Sequence, residues 1–109
     1  MVGDATADAE SCPKGDVCLY RSAGFTGCFL DIRLSPPFAP AIPDLSIWKC
    51  PNGGNFNNAT SSWKNRSDTR YCWWTDKVYK GHRHTMNAHK WLKKVSGSAN
   101  DQASSIAPC

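Results

Sequence analysis

The chain lacks any run approaching the ~18 consecutive apolar residues of a membrane-spanning helix, so no helical span is expected. It lacks a CxxC pair, which turns its cysteines away from zinc and toward disulfides. Its carboxylates are few and dispersed, nine Asp and Glu against 13 Lys and Arg. No Ser-His-Asp order suggests a nucleophile elbow, and no glycine-rich phosphate loop follows a strand-like run. No enzyme chemistry is expected. Acids are absent between residues 77 and 94, where Lys77, Lys80, Arg83, Lys90, Lys93 and Lys94 sit with His82, His84 and His89. Such a stretch is either a solvated basic face or a surface for an acidic partner.

What the chain does contain is a repetition. Tyr20, Phe25 and Gly27 form an aromatic-x4-aromatic-x-Gly pattern, and Trp74, Tyr79 and Gly81 repeat it 54 residues later. A second word follows each copy: Asn57-Asn58-Ala59-Thr60-Ser61-Ser62, then Asn100-Asp101-Gln102-Ala103-Ser104-Ser105. Two words in one order, twice in 109 residues, indicate a duplicated structural unit. Neither half is large enough to fold alone, so one domain of two similar halves is expected, packed face to face. Gly27 and Gly81 suit positive φ or close packing beneath a ring.

Six cysteines, Cys12, Cys18, Cys28, Cys50, Cys72 and Cys109, in so short a chain imply an oxidising compartment and hence secretion. Residues 1–11 have no apolar core and are expected to be a disordered tail, the mature start of a secreted protein behind an added Met. Strand-like runs lie at 17–20, 29–34 (with one buried face), 61–64, 69–74, 82–86 and 104–107. Residues 91–95 fit a helical turn. Residues 35–47 carry Pro36, Pro37, Pro40 and Pro43, which excludes a helix or a central strand and predicts a stiff surface loop. From Gly27 to Asn57 is 30 residues and from Gly81 to Asn100 is 19, so the first half carries 11 extra residues here. The class is all-β.

The two words in register resemble the βγ-crystallin Greek-key motif over nearly the whole chain. The resemblance implies two Greek keys, residues 12–64 and 69–109, forming one disulfide-stabilised sandwich. Within that superfamily, Cys12-Pro13-Lys14-Gly15-Asp16-Val17-Cys18-Leu19-Tyr20 is similar to the opening of the secreted Streptomyces-type metalloproteinase inhibitors and their actinobacterial relatives. That resemblance implies a Cys12–Cys18 bridge. Six cysteines allow 15 connectivities; given that bridge, Cys28–Cys50, which would clamp the proline-rich insertion at its base, and Cys72–Cys109 are the favoured remaining pairs. It further implies a thermolysin-like protease as partner, blocked by a rigid loop inserted into its active site. In that family the loop precedes the second repeat and is closed by a C-x4-C bridge. Here Cys72 matches the second cysteine, but Ser67 stands at the first. Inhibitory candidates are therefore Arg66, Arg70 and Tyr71 in that loop, and Pro36, Pro37, Phe38, Pro40 and Ile42 in the proline-rich insertion.

Two other functions stay open. The Asn/Ser words imply Ca2+ sites in the crystallin family. Asn58, Ser61, Asp101 and Ser104 are the matching side chains, and Ala59 and Gln102 offer carbonyls. The alternative is that these side chains bind local backbone. An antimicrobial or cell-surface binder is the other reading, using the basic stretch with Trp73 or Trp74. These two adjacent residues point to opposite sheet faces, one into the core and one outward. His82 and His84 share a strand face where zinc is conceivable, but exposed basic residues are the expectation. Nucleic acid is not expected as a partner, and the protein is expected to be a monomer.

Overall fold

The structure is a computed structural model that describes residues 2–6, 12–50, 54–95 and 102–109. Among the described residues eight strands follow one another: β1 (Val2–Thr6), β2 (Val17–Ser22), β3 (Thr26–Ile32), β4 (Ser62–Asn65), β5 (Tyr71–Asp76), β6 (Lys80–Met86), β7 (Trp91–Leu92) and β8 (Ser105–Pro108). A 3-10 turn, Leu45–Ile47, interrupts the proline-rich segment. The strands form a sheet in the order β1-β3-β2-β4-β7 and a second in the order β6-β5-β8, extended beyond β8 by the Ile42 bridge to Ile106. After the hairpin β2–β3 the chain crosses to the second sheet at Ile42, then returns as β4 beside β2. After the hairpin β5–β6 it crosses to the first sheet as β7, then returns as β8 beside β5. These are two interlocked Greek keys, each lending its third segment to the other's sheet.

The repeated words build equivalent joints. Phe25 and Tyr79 both sit at φ 60°, and Gly27 and Gly81 follow at φ 78° and 84°. A Cβ on Gly27 would lie 2.8 Å from Ser22 Oγ, so glycine is required there for space as well as for φ. The folded hairpins bring Tyr20 edge-on to Phe25 at 5.7 Å and Trp74 edge-on to Tyr79 at 5.4 Å, a favoured aromatic geometry. The last serine of each word pins its own hairpin. Ser62 Oγ accepts from Phe25 N–H at 3.1 Å and donates to Ser22 O at 2.6 Å. Ser105 Oγ accepts from Tyr79 N–H at 3.0 Å and donates to Asp76 O at 2.7 Å.

The core between the sheets includes Leu19, Leu30, Phe56, Tyr71, Trp73, Met86 and Ile106. A smaller cluster, Cys12, Cys18, Tyr20 and Phe29 with Phe25 against it, covers the outer face of β2–β3. That cluster explains why Phe29 to Ile32 are all buried, where the alternating pattern predicts one buried face. Asp31 is buried with them and lies beside buried Asp16.

Two expectations need correction. Residues 2–6 are not a tail: they form β1, which pairs with β3 and supplies partners to an otherwise open sheet edge. The rest of the expected tail lies outside the described residues. Residues 91–95 are not a helical turn. Trp91 and Leu92 pair with Lys64 and Trp63, and Val95 N–H donates to Ser61 O at 2.8 Å. The cysteines pair as Cys12–Cys18, Cys28–Cys50 and Cys72–Cys109, with Cα separations of 6.0, 6.1 and 5.8 Å.

Candidate functional site

The proline-rich segment is a braced loop with an exposed tip. Ser35 and Phe38 exchange backbone hydrogen bonds at 3.1 and 2.7 Å, closing a turn around Pro36 and Pro37. Phe38 is 57% exposed, a high value for an apolar ring on a short turn. Behind the tip the segment is locked. Pro40 is buried, and its carbonyl accepts from the Tyr71 hydroxyl at 2.7 Å. Ile42 exchanges backbone bonds with Ile106 at 2.8 and 3.0 Å. Asp44 caps the 3-10 turn by accepting from Ser46 N–H at 2.9 Å, and Lys77 Nζ lies 3.6 Å from its carboxylate. Hydrogen bonds from the Ser46 hydroxyl, at 2.6 Å, and from its N–H, with the Lys77 charge behind them, hold the Asp44 carboxyl below its ordinary value. Cys28–Cys50 closes the segment at its base.

The link between the halves has no bridge, but it has a polar hub. Asn65 is 1% exposed, and its Nδ2 donates to Thr69 O and Met86 O, both at 2.8 Å. Its Oδ1 accepts from Ser67 N–H at 3.0 Å and from Ser67 Oγ at 2.6 Å. Ser67 Oγ in turn accepts from Thr69 N–H at 3.1 Å. Ser67, at the family's cysteine position, is thus buried and tied by hydrogen bonds, while Cys72 pairs with Cys109. Arg66 is exposed, yet its Nη1 donates to Cys12 O at 2.6 Å and its backbone bonds Asp16 and Gly15. Arg70 is exposed and donates to Cys109 O at 3.0 Å. The hub is the feature that sequence reading missed. Its signal is the Asn65-x-Ser67 spacing, which favours side-chain to backbone turns.

Of the eight inhibitory candidates, Pro36, Pro37, Phe38, Arg66 and Arg70 are exposed, whereas Pro40, Ile42 and Tyr71 are buried. Ile42 is a sheet residue and Tyr71 a core residue. Burial raises the Tyr71 hydroxyl far above its ordinary range, which keeps it a neutral donor to Pro40. These three hold the loop from behind and present nothing to a partner.

The two Asn/Ser words meet across the halves. Ser104 Oγ donates to Asn58 Oδ1 at 2.8 Å, and Asn58 N–H donates to Ala103 O at 2.7 Å. Buried Asn57 Oδ1 and Thr60 Oγ1 have no partner in the same word. Ser61 is buried, and Asp101 lies outside the described residues. The oxygens that converge are neutral, and no three His, Cys, Asp or Glu side chains cluster among the described residues. His84 stacks on buried Trp73 at 4.1 Å, and burial with neighbouring His82 lowers its pKa, which favours the neutral ring in this stack. Trp73 is the core partner of the tryptophan pair and Trp74 the half-buried one. The basic stretch divides between sheets, with Lys80 and Arg83 on β6 and Lys90 to Lys94 around β7.

Solved structures share this architecture. One bears on the evolution of the eye lens βγ-crystallin domain fold, with a TM-score of 0.71 and 20% identity over 92% of this chain and 91% of that chain. A βγ-crystallin from Ciona intestinalis matches at TM-score 0.67 and 20% identity, covering 87% of this chain and 100% of that one. A βγ-crystallin domain from Clostridium beijerinckii matches at 0.65 and 20%, covering 85% and 95%. At such identity the likeness shows the fold alone. No curated protein matches the sequence. The model of a peptidase inhibitor family, I36, matches residues 5–86, from β1 through both hairpins to the end of β6. The double Greek key is therefore the scaffold of an inhibitor and not of an enzyme: the chain belongs to peptidase inhibitor family I36.

Proposed function

We propose that the protein is a secreted inhibitor of thermolysin-like metalloproteases and that the tip Pro36-Pro37-Phe38 enters the protease cleft. The observation that carries this is the exposed Phe38 on a loop braced behind its tip by Cys28–Cys50, the Tyr71–Pro40 bond, the Ile42–Ile106 ladder and the Asp44 cap. A rigid loop loses little entropy on binding and resists the distortion that cleavage needs. An apolar ring is the natural occupant of a hydrophobic specificity pocket. The link at 65–71 offers only polar or charged exposed side chains, Arg66, Asp68 and Arg70, and Arg66 is engaged with Cys12. Three disulfides suit an extracellular workplace. Titration of a thermolysin-like protease tests the reading. Phe38→Ala is expected to weaken inhibition by about a hundredfold, in line with loss of an interface anchor. Full inhibition by Phe38→Ala, with loss in Arg66→Ala or Arg70→Ala, places the contact in the link instead.

A second reading rests on one observation, the 2.8 Å approach of Asn58 Oδ1 and Ser104 Oγ from opposite halves beside the unpartnered Asn57 and Thr60 oxygens. Neutral oxygens at such spacing fit a weak Ca2+ site, since Ca2+ accepts amide, hydroxyl and carbonyl ligands. Calorimetry on chelator-treated protein is expected to show weak binding that Asp101→Ala abolishes; a flat titration rules the site out.

A further inference from the structure

Away from the proline-rich tip, on the outer side of the five-stranded sheet, lies a cleft of about 330 Å³. Phe25 and Trp91 line it with Lys64, Arg66, His89 and Lys90. Trp91 is 64% exposed, and its neighbour Leu92 is also exposed. Both belong to β7, the terminal strand of the sheet, whose outer edge has no partner strand among the described residues. Lys64 Nζ sits 4.5 Å from the Phe25 ring centroid, a cation–π contact that fixes one ammonium group at the wall. Arg66 is held at the wall by its bond to Cys12 O. No acidic side chain lines the cleft among the described residues, and Asp68 is paired with its wall residue His89 at 2.5 Å. Lys90 has no acidic partner among the described residues, and Lys93 and Lys94 continue the positive charge along the chain.

We infer that this cleft is a second protein-binding site, taking an extended acidic peptide segment of a partner. Three features converge on that occupant. The cations Lys64, Arg66 and Lys90 complement carboxylates in a partly desolvated cleft, where charge pairing is stronger than on open surface. The exposed Trp91 ring offers a flat apolar surface to the residue between two acids. The open edge of β7 offers main-chain hydrogen bonds, the usual source of affinity when a peptide adds to a sheet. The site is independent of the Phe38 tip and serves a different contact.

The test titrates the intact, oxidised protein with a synthetic peptide of alternating Glu and Leu, with a Gln-for-Glu control peptide, and with polygalacturonate. The Glu peptide is expected to bind with a Kd in the micromolar range, weakening at least tenfold from low to physiological salt and at least tenfold in the Gln control. Lys90→Glu and Trp91→Ala, both at exposed positions, are each expected to weaken it about tenfold while protease inhibition is unchanged. Circular dichroism on both variants establishes that they fold, and the Lys90→Gln variant serves if Trp91→Ala does not. Equal binding of the two peptides, binding unaffected by the variants, or binding of polygalacturonate without the peptide overturns the inference.

Discussion

Replacing Asn65 by alanine is expected to be among the most damaging single changes outside the cysteines. Its side chain makes four hydrogen bonds while fully buried, two given to carbonyls and two received from Ser67. In Asn65→Ala, Ser67 Oγ is free to turn to Thr69 O, 3.0 Å away, so that acceptor is rescued. Met86 O loses the side-chain bond that ties the link to the end of β6, and Ser67 N–H is left without its acceptor. Each of these two orphaned buried groups costs about 1–3 kcal/mol, so the expected loss is about 2–6 kcal/mol, plus a small cavity. Urea unfolding followed by tryptophan fluorescence measures it as a lower midpoint at unchanged slope. Asp68→Ala, at the exposed position next to the hub, is the control and is expected to change stability by under about 0.5 kcal/mol apart from its pairing with His89. A loss below about 1 kcal/mol in Asn65→Ala refutes the view that this hub replaces the missing bridge.

Other expectations follow from the same geometry. Ser62→Ala and Ser105→Ala are expected to cost nearly the same, about 1–2 kcal/mol each, because each hydroxyl makes the same two bonds in its own half; a several-fold difference in urea-derived stability contradicts the equivalence of the halves. Burial, with Asp31 alongside, raises the Asp16 carboxyl from 3.8 to about 7, so the folded protein keeps a proton there that the unfolded chain has released. Stability is therefore expected to fall between about pH 4 and pH 7 and to level off above; Asp16→Asn should flatten that slope, and an unchanged pH profile in the variant argues against the assignment. Removing Cys28–Cys50 by paired serines is expected to cost about 3 kcal/mol and to weaken inhibition more than the stability loss explains, read as inhibition measured well below the unfolding midpoint. Retained inhibition there detaches the proline-rich tip from the protease contact.

The parts of this fold that were legible in the sequence are those the chain states twice. The hairpin turns, the glycines at positive φ and the two pinning serines are pairs of equivalent positions, so each copy vouches for the other. What is stated once was harder to read. Residues 91–95 place Trp91, Leu92 and Val95 at helical spacing, and local pattern alone favours a turn of helix; pairing with β4 overrides it. Even here the duplication holds the answer in the structure: Leu45 N–H donates to Ser104 O as Val95 N–H donates to Ser61 O. The two crossing segments are thus equivalent positions on opposite sheets, though one is a 3-10 turn among prolines and the other a two-residue strand among lysines. The carboxyl pair Asp16–Asp31 and the Asn65 hub join residues whose burial depends on neighbours far along the chain, and no local signal announces burial. The crossing segments are also where the halves differ most in sequence, and both proposed contact sites sit beside them, Phe38 before the first and Trp91 within the second. A duplicated scaffold constrains the joints it repeats and leaves the crossings free to vary. Divergence of recognition chemistry at the crossings, one apolar and braced, the other cationic and open-edged, is what that freedom permits.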